Sequence, residues 1–248
     1  MLDSSTTNNT AETDPLTEYV EATFGEDNPL IEVMAAPASI VLPPASSETA
    51  SLMEVETSMT PSSASSSGAS EETIFLINEV GDPDELFGSN QAEFIAGRFG
   101  DSVLFGNGGN DTLIGDLEGE GNDKLFAGQG DDEVLGNGGD DIVFGEEGDD
   151  SLFGGAGNDY LRGGEGDDFL FGGEGTDIFA IFPGSGKDIV FDFEAPRDII
   201  GLGGGLTFGQ LTLTQQGSET VISANGEELA VVLNTTATNF TEQTFLSV

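Results

Sequence analysis

Between Glu79 and Ala180 the sequence repeats every nine residues, and that period limits the fold more than any other feature of the chain. The stretch divides into eleven nonads with one three-residue insertion, placed within Leu117 to Glu120. Representative units are Gly136-Asn-Gly-Gly-Asp-Asp-Ile-Val-Phe144 and Gly163-Gly-Glu-Gly-Asp-Asp-Phe-Leu-Phe171. Place six holds Asp84, Glu93, Ser102, Asp111, Asp123, Asp132, Asp141, Asp150, Asp159, Asp168 and Asp177. Place eight holds Leu86, Ile95, Leu104, Leu113, Leu125, Val134, Val143, Leu152, Leu161, Leu170 and Phe179, apolar every time, and glycine dominates places one and four.

Nine residues are two and a half α-helical turns, so a helix would scatter the eighth residue around its axis. The pattern suits a flat coil in which a glycine-rich turn of six residues feeds a strand of three. The eighth residue is then the middle of the strand and points inward, with its two neighbours pointing outward. Glycine supplies the positive φ that such turns need. A disordered Gly/Asp linker would have no reason to keep an apolar residue at every eighth place.

With two nonads to a full coil, sixth-place carboxylates of repeats i and i+2 lie side by side. Asp111 faces Asp132, Asp123 faces Asp141, Asp132 faces Asp150, Asp141 faces Asp159, Asp150 faces Asp168, and Asp159 faces Asp177. Coils stack at about 4.8 Å, so these rows repel unless a cation lies among them. Calcium takes six to eight oxygens at about 2.3–2.6 Å, from carboxylates and from backbone carbonyls, whereas magnesium demands stricter octahedral geometry. The expected ligands are these aspartates together with the turn glycines Gly106, Gly108, Gly136, Gly138, Gly145, Gly154, Gly163 and Gly172, for several calcium ions in all. Glu93 and Ser102 degrade the earlier coils, which are expected to bind calcium weakly or not at all and to act as a cap.

Composition agrees. Five basic against 47 acidic residues give a net charge of −42. That balance speaks against nucleic acid, whose binding needs Lys and Arg, and against anionic membrane surfaces. It favours cations and predicts self-repulsion in a metal-free compact state. There is no Cys and no His, so disulfides, thiolate or imidazole metal sites, an HExxH motif and a Ser-His-Asp triad are all excluded. The glycine-rich turns lack the lysine of a P-loop. Carboxylate pairs recur at every coil, so no pair is set apart as an acid and base. The chain reads as non-enzymatic.

Four segments follow. Residues 1–70 are rich in Ser, Thr, Pro and acidic residues, with no Lys or Arg, and read as a disordered acidic tail. No Sec-type leader is expected at Met1 and no transmembrane span anywhere. Residues 71–105 hold a lead-in strand at Thr73 to Ile77 and the degenerate capping coils. Residues 106–180 are the full-strength roll. In residues 181–248 the register limps on through Asp188, expected to face Asp168, and Asp198, expected to face Asp177, both counted among the expected calcium ligands. Alternating strands come next, with a hairpin at Asn225-Gly226, and read as the atypical unit that covers a solenoid's last apolar layer.

The Gly-Asp nonads, followed by Gly184-Ser-Gly-Lys-Asp-Ile-Val-Phe-Asp-Phe193, resemble the RTX, or hemolysin-type calcium-binding, family. The resemblance spans residues 79–200. It implies an all-β protein, a right-handed parallel β-roll that folds on binding calcium, with a β-rich C-terminal cap. It also implies export by a type I secretion machinery that reads an uncleaved C-terminal signal, here within Thr241 to Val248. The expected function is that of a secreted, extracellular calcium-binding protein. The alternative is a cell-surface or matrix adhesion protein that uses the roll as a spacer. Its contact would be the outer ninth-place row Phe87, Phe105, Phe126 and Phe144.

Overall fold

The computed structural model describes residues 74–77, 84–97, 99–117 and 119–248. The tail expected at residues 1–70 lies outside them. Strands alternate between two sheets, so that each nonad contributes to the sheet its predecessor skipped. Neighbours in a sheet are parallel and two nonads apart, as in Leu161 beside Val143 and Leu170 beside Leu152. Across the insertion the offset widens by three, pairing Leu104 with Leu125 and Leu113 with Val134. The lead-in strand is present as Ile74–Ile77, paired in parallel with Glu93–Ala96.

Every eighth-place side chain from Ile95 to Phe179 is fully buried, and Leu86 packs against the first of them. The core is thus a single file of aliphatic residues between the sheets. Each contributes about 1.5–3 kcal/mol by leaving water, which offsets part of the entropy cost of so many ordered glycines.

Two local expectations need correction. The strands in the regular part of the roll are six residues long rather than three, for example Ile142–Glu147 and Ser151–Ala156. The ladder continues past place nine because the next first-place glycine, having no side chain, turns inward in the strand's alternation and stays buried. The ninth-place side chains are also less exposed than outward-pointing ones would be. Phe105, Phe126 and Phe144 are half-buried. The register brings the rings from Phe87 to Phe144 into one stack, with centroids 4.8, 5.0 and 5.3 Å apart. On the other sheet Phe153, Phe171 and Phe191 stack at 4.7 and 4.2 Å. The first row ends where Arg162 takes the place of phenylalanine and lies 4.1 Å over the Phe182 ring.

Beyond Ile181 the parallel stack is closed off. Asp188–Val190 pairs in parallel with Glu227–Val232, which turns back antiparallel through Glu219–Ala224 to the edge strand Leu211–Gln216. Asn225 and Gly226, with φ of 55° and 88°, make the expected tight turn. On the second sheet Ile199–Leu202 is followed by Phe245–Ser247. Phe193, Leu206, Ile222, Leu229 and Phe240 fill the space that another coil would have occupied. No helix among the described residues is long and apolar enough to cross a membrane.

Candidate metal sites in the turns

Most turns of the regular roll are built on two glycines that do different work, the exception being Ala127 at place one ahead of Asp132. The fourth-place residue sits at positive φ, 138° at Gly148, and a methyl group there would lie 1.8 Å from the Gly130 carbonyl of the preceding coil on that side. Where place one is glycine, it leaves space instead of supplying conformation. A methyl group at Gly145 would lie 2.2 Å from Asp150 Oδ2 and 2.7 Å from the Gly163 carbonyl. The same notch holds for Gly106 with Asp111, Gly136 with Asp141, Gly154 with Asp159, Gly163 with Asp168 and Gly172 with Asp177. Gly108 and Gly138, by contrast, stand at place three, which elsewhere carries Gln129, Glu147 or Glu165. Nothing in the turn needs glycine there.

The sixth-place aspartates are brought together as their spacing dictates. Oδ1 of each accepts the backbone N–H of its partner two nonads earlier. Asp132 accepts from Asp111 at 2.7 Å, Asp141 from Asp123, Asp150 from Asp132 and Asp159 from Asp141, all at 2.8 Å. Asp168 accepts from Asp150 at 2.9 Å and Asp177 from Asp159 at 3.0 Å. The row begins where Asp111 and Asp123 accept from the degenerate positions Glu93 and Ser102. Glu93 itself turns its carboxylate back onto Ser89 of its own turn.

The second oxygen behaves differently. Oδ2 of Asp111, Asp123, Asp132, Asp141, Asp150, Asp159, Asp168 and Asp177 is buried with no hydrogen-bond partner. Burial pushes these carboxyls up, against the opposing pull of the backbone N–H each accepts. Asp150 rises to about 8, Asp123, Asp132 and Asp159 to about 7, and Asp111, Asp141, Asp168 and Asp177 to about 6. Neighbouring carboxylates raise several of them further. A buried anionic oxygen without a donor is costly, and a repeated file of them fits a hard cation that takes oxygen ligands.

The two aspartates of the irregular region part company. Asp188 is buried, its Oδ1 lacks a partner, and its carboxyl is pushed up to about 8 by burial and then by the Asp168 carboxylate against it. It extends the file. Asp198 does reach Asp177, accepting its N–H at 3.3 Å, but its other oxygen accepts the Glu194 N–H at 2.7 Å. The Arg197 guanidinium stands beside it, Nε 3.4 Å from Asp198 Oδ1, and donates Nη2 to the Gly173 carbonyl at 3.3 Å. Asp192 accepts from the Gly172 and Gly173 N–H groups at 3.0 and 2.8 Å. Side chains of residues 192–198 therefore meet the open donors and acceptors of this last turn.

One row escaped the sequence reading. Fifth-place Asn and Asp side chains form a second ladder that runs the other way, each accepting the N–H of the residue two nonads later. Asn122 accepts from Asp140 at 2.7 Å, Asp140 from Asn158 at 2.8 Å, and Asp149 from Asp167 at 2.9 Å. The signal was the restriction of place five to Asn or Asp from Asp101 to Asp167. Asp116, buried inside the inserted turn, was also missed because it falls at place two.

Comparison with known proteins agrees with this geometry. Residues 87–117, 119–152 and 144–179 match the family described as RTX calcium-binding nonapeptide repeat (4 copies). Among solved structures the chain is similar to the extracellular lipase LipA from Serratia marcescens, at 16% identity over 70% of this chain and 42% of that chain, with a TM-score of 0.36. It is also similar to the AlgE6R3 subunit of the Azotobacter vinelandii mannuronan C5-epimerase, at 27% identity over 50% of this chain and 77% of that one, with a TM-score of 0.21. The chain thus spans less than half the length of the lipase. Comparison of the whole sequence with characterised proteins found no match. Residues 87–117 and 119–179, which build the parallel roll and its file of paired aspartates, are RTX calcium-binding nonapeptide repeats.

Proposed function

We propose that this protein is a secreted, non-enzymatic calcium-binding protein whose roll folds on binding several calcium ions in its turns. The observation that carries the reading is the file of buried Oδ2 atoms without partners, one in every nonad from Asp111 to Asp177. Bound calcium supplies the positive charge that these carboxylates lack. The sixth-place aspartates provide that charge's partners in pairs, from coils stacked on one another, and the glycine turns leave their carbonyls free to complete an oxygen shell. Because the donors come together only in the folded roll, binding free energy is folding free energy. The absence of His and Cys supports a structural role over a catalytic one. Extracellular action follows from affinity, since modules outside the cell bind at about 10⁻⁴–10⁻³ M and would stay empty where free calcium is scarce.

A calcium titration of the full chain by far-ultraviolet circular dichroism tests this. The expected result is a cooperative gain of β-structure near millimolar calcium that magnesium does not reproduce. A roll already formed in chelator at neutral pH would overturn it. The exposed end of the aromatic stack, with Phe87 60% exposed, favours a second reading in which the outer row attaches the roll to a surface. Protein stripped from cells by a chelator, and released from them by Phe126→Ser with Phe144→Ser, would support attachment. Protein free in the medium counts against it.

A further inference from the structure

The three-residue insertion interrupts an otherwise regular ladder, and at its start stands a buried carboxylate that the ladder does not use. Asp116 is 2% exposed. Its Oδ2 accepts the Gly121 N–H at 2.5 Å, while its Oδ1 is buried with no partner. The backbone carbonyl of Asp116 accepts from the Asn137 side chain at 2.7 Å, so both ends of the residue are held. Two glycines of the insert close around the carboxylate. A methyl group at Gly119 would lie 2.9 Å from Asp116 Oδ2, and one at Gly121 would lie 2.7 Å from it. At Gly121 such a group would meet the Gly100 carbonyl first, at 2.3 Å, and at Gly119 it would lie 3.3 Å from Asp116 Oδ1.

The surroundings are anionic. Asp116 bears electrostatically on Asp123 and Asp141, each of which keeps its own unpartnered Oδ2. Among the described residues the ion pairs all involve Lys187 or Arg197, at the other end of the roll. Three buried carboxylates with open oxygens therefore share one neighbourhood, with no basic side chain among the described residues paired to them. They do not converge on a single point, since no three acidic side chains among the described residues form a common cluster. One ion on the Asp123–Asp141 pair thus leaves Asp116 unserved.

We propose that the insertion builds a further divalent-cation site, additional to those of the regular ladder, with Asp116 as its charged ligand. The proposal rests on the reading of the ladder as calcium-binding, and the test separates the two. Calcium bound per full-length chain is counted by equilibrium dialysis at saturating calcium, alongside Asp116→Asn, with circular dichroism under the same conditions confirming an intact roll. The expected result is one ion fewer per chain in the variant. An unchanged count in an intact roll overturns the site.

Should Asp116→Asn fail to fold, crystals of the unaltered protein grown with terbium decide the matter by anomalous scattering. A peak within about 2.3–2.6 Å of an Asp116 carboxylate oxygen supports the site. Peaks along the Asp132–Asp150 and Asp141–Asp159 rows with none at Asp116, or with a water only, overturn this proposal and leave the ladder reading intact. No peak anywhere sinks both.

Discussion

At the scale of single residues, the sixth-place aspartate carries two jobs on two oxygens. In Asp150, Oδ1 accepts the Asp132 N–H and Oδ2 is left bare. Asp150→Asn keeps an acceptor for the N–H and removes the buried charge. The metal-free roll should become easier to form, while the calcium midpoint rises roughly tenfold for the affected turns. Paired titrations in calcium and melts in chelator would read both directions, and a variant that weakens both states would refute the division of labour. Place six and place eight were legible in the sequence because charge and apolarity recur there without exception beyond Asp111. The first-place glycines were legible as a pattern but not in their cause. Nothing in a string of letters says that Gly145 is needed for the room Asp150 takes. The fifth-place ladder was overlooked for a related reason: Asn and Asp read as ordinary turn residues until the register lays them over one another.

At the scale of the element, a turn column is a row of carboxyls whose protonation is coupled to folding. Each titrates at 3.8 when free and at about 6 to 8 in the metal-free roll. A folded value above the free one means that protons favour the roll. This stabilisation is complete below about pH 4 and is lost as the pH rises through 6 to 8. In chelator, therefore, β-structure should be greatest near pH 4 and disappear toward pH 8. In calcium the dependence should reverse, because a ligand carboxylate must be deprotonated. Circular dichroism across this range, with and without calcium, checks the crossing; parallel curves would contradict it. The strands themselves were foreseen in number and pairing but at half their length. Sequence marks where side chains face the core, and the glycine half of each strand has none to mark.

At the scale of the whole molecule, the roll ends differently from how it repeats. Asp198 was expected to continue the row and does meet Asp177, yet Arg197 supplies the positive charge there. A guanidinium in that place gives the Asp198 carboxylate a positive partner from the protein itself. Arg197→Gln leaves both Asp198 oxygens their backbone donors but removes the positive charge beside them, and should cost about 0.2–1 kcal/mol, read as a lower melting temperature in calcium. Asp198→Asn in the same background should recover most of the loss. If the double variant melts no higher than the single one, the arginine acts through something other than that charge. The sequence announced the hairpin through Asn225-Gly226, but the pairing of Arg197 with a turn 24 residues earlier depends on where the coil closes.

That hairpin also settles how the stack meets its surroundings. A parallel coil offers its edge to any similar coil, and rolls with bare ends would grow into fibres by adding one another's turns. Here the sheet finishes in an antiparallel strand, Leu211–Gln216, with Thr212, Thr214 and Gln216 facing water. An incoming parallel coil finds neither the register nor the apolar file it requires. At that edge the first sheet is stopped by its own hairpin, while the second sheet ends on the short parallel strand Phe245–Ser247.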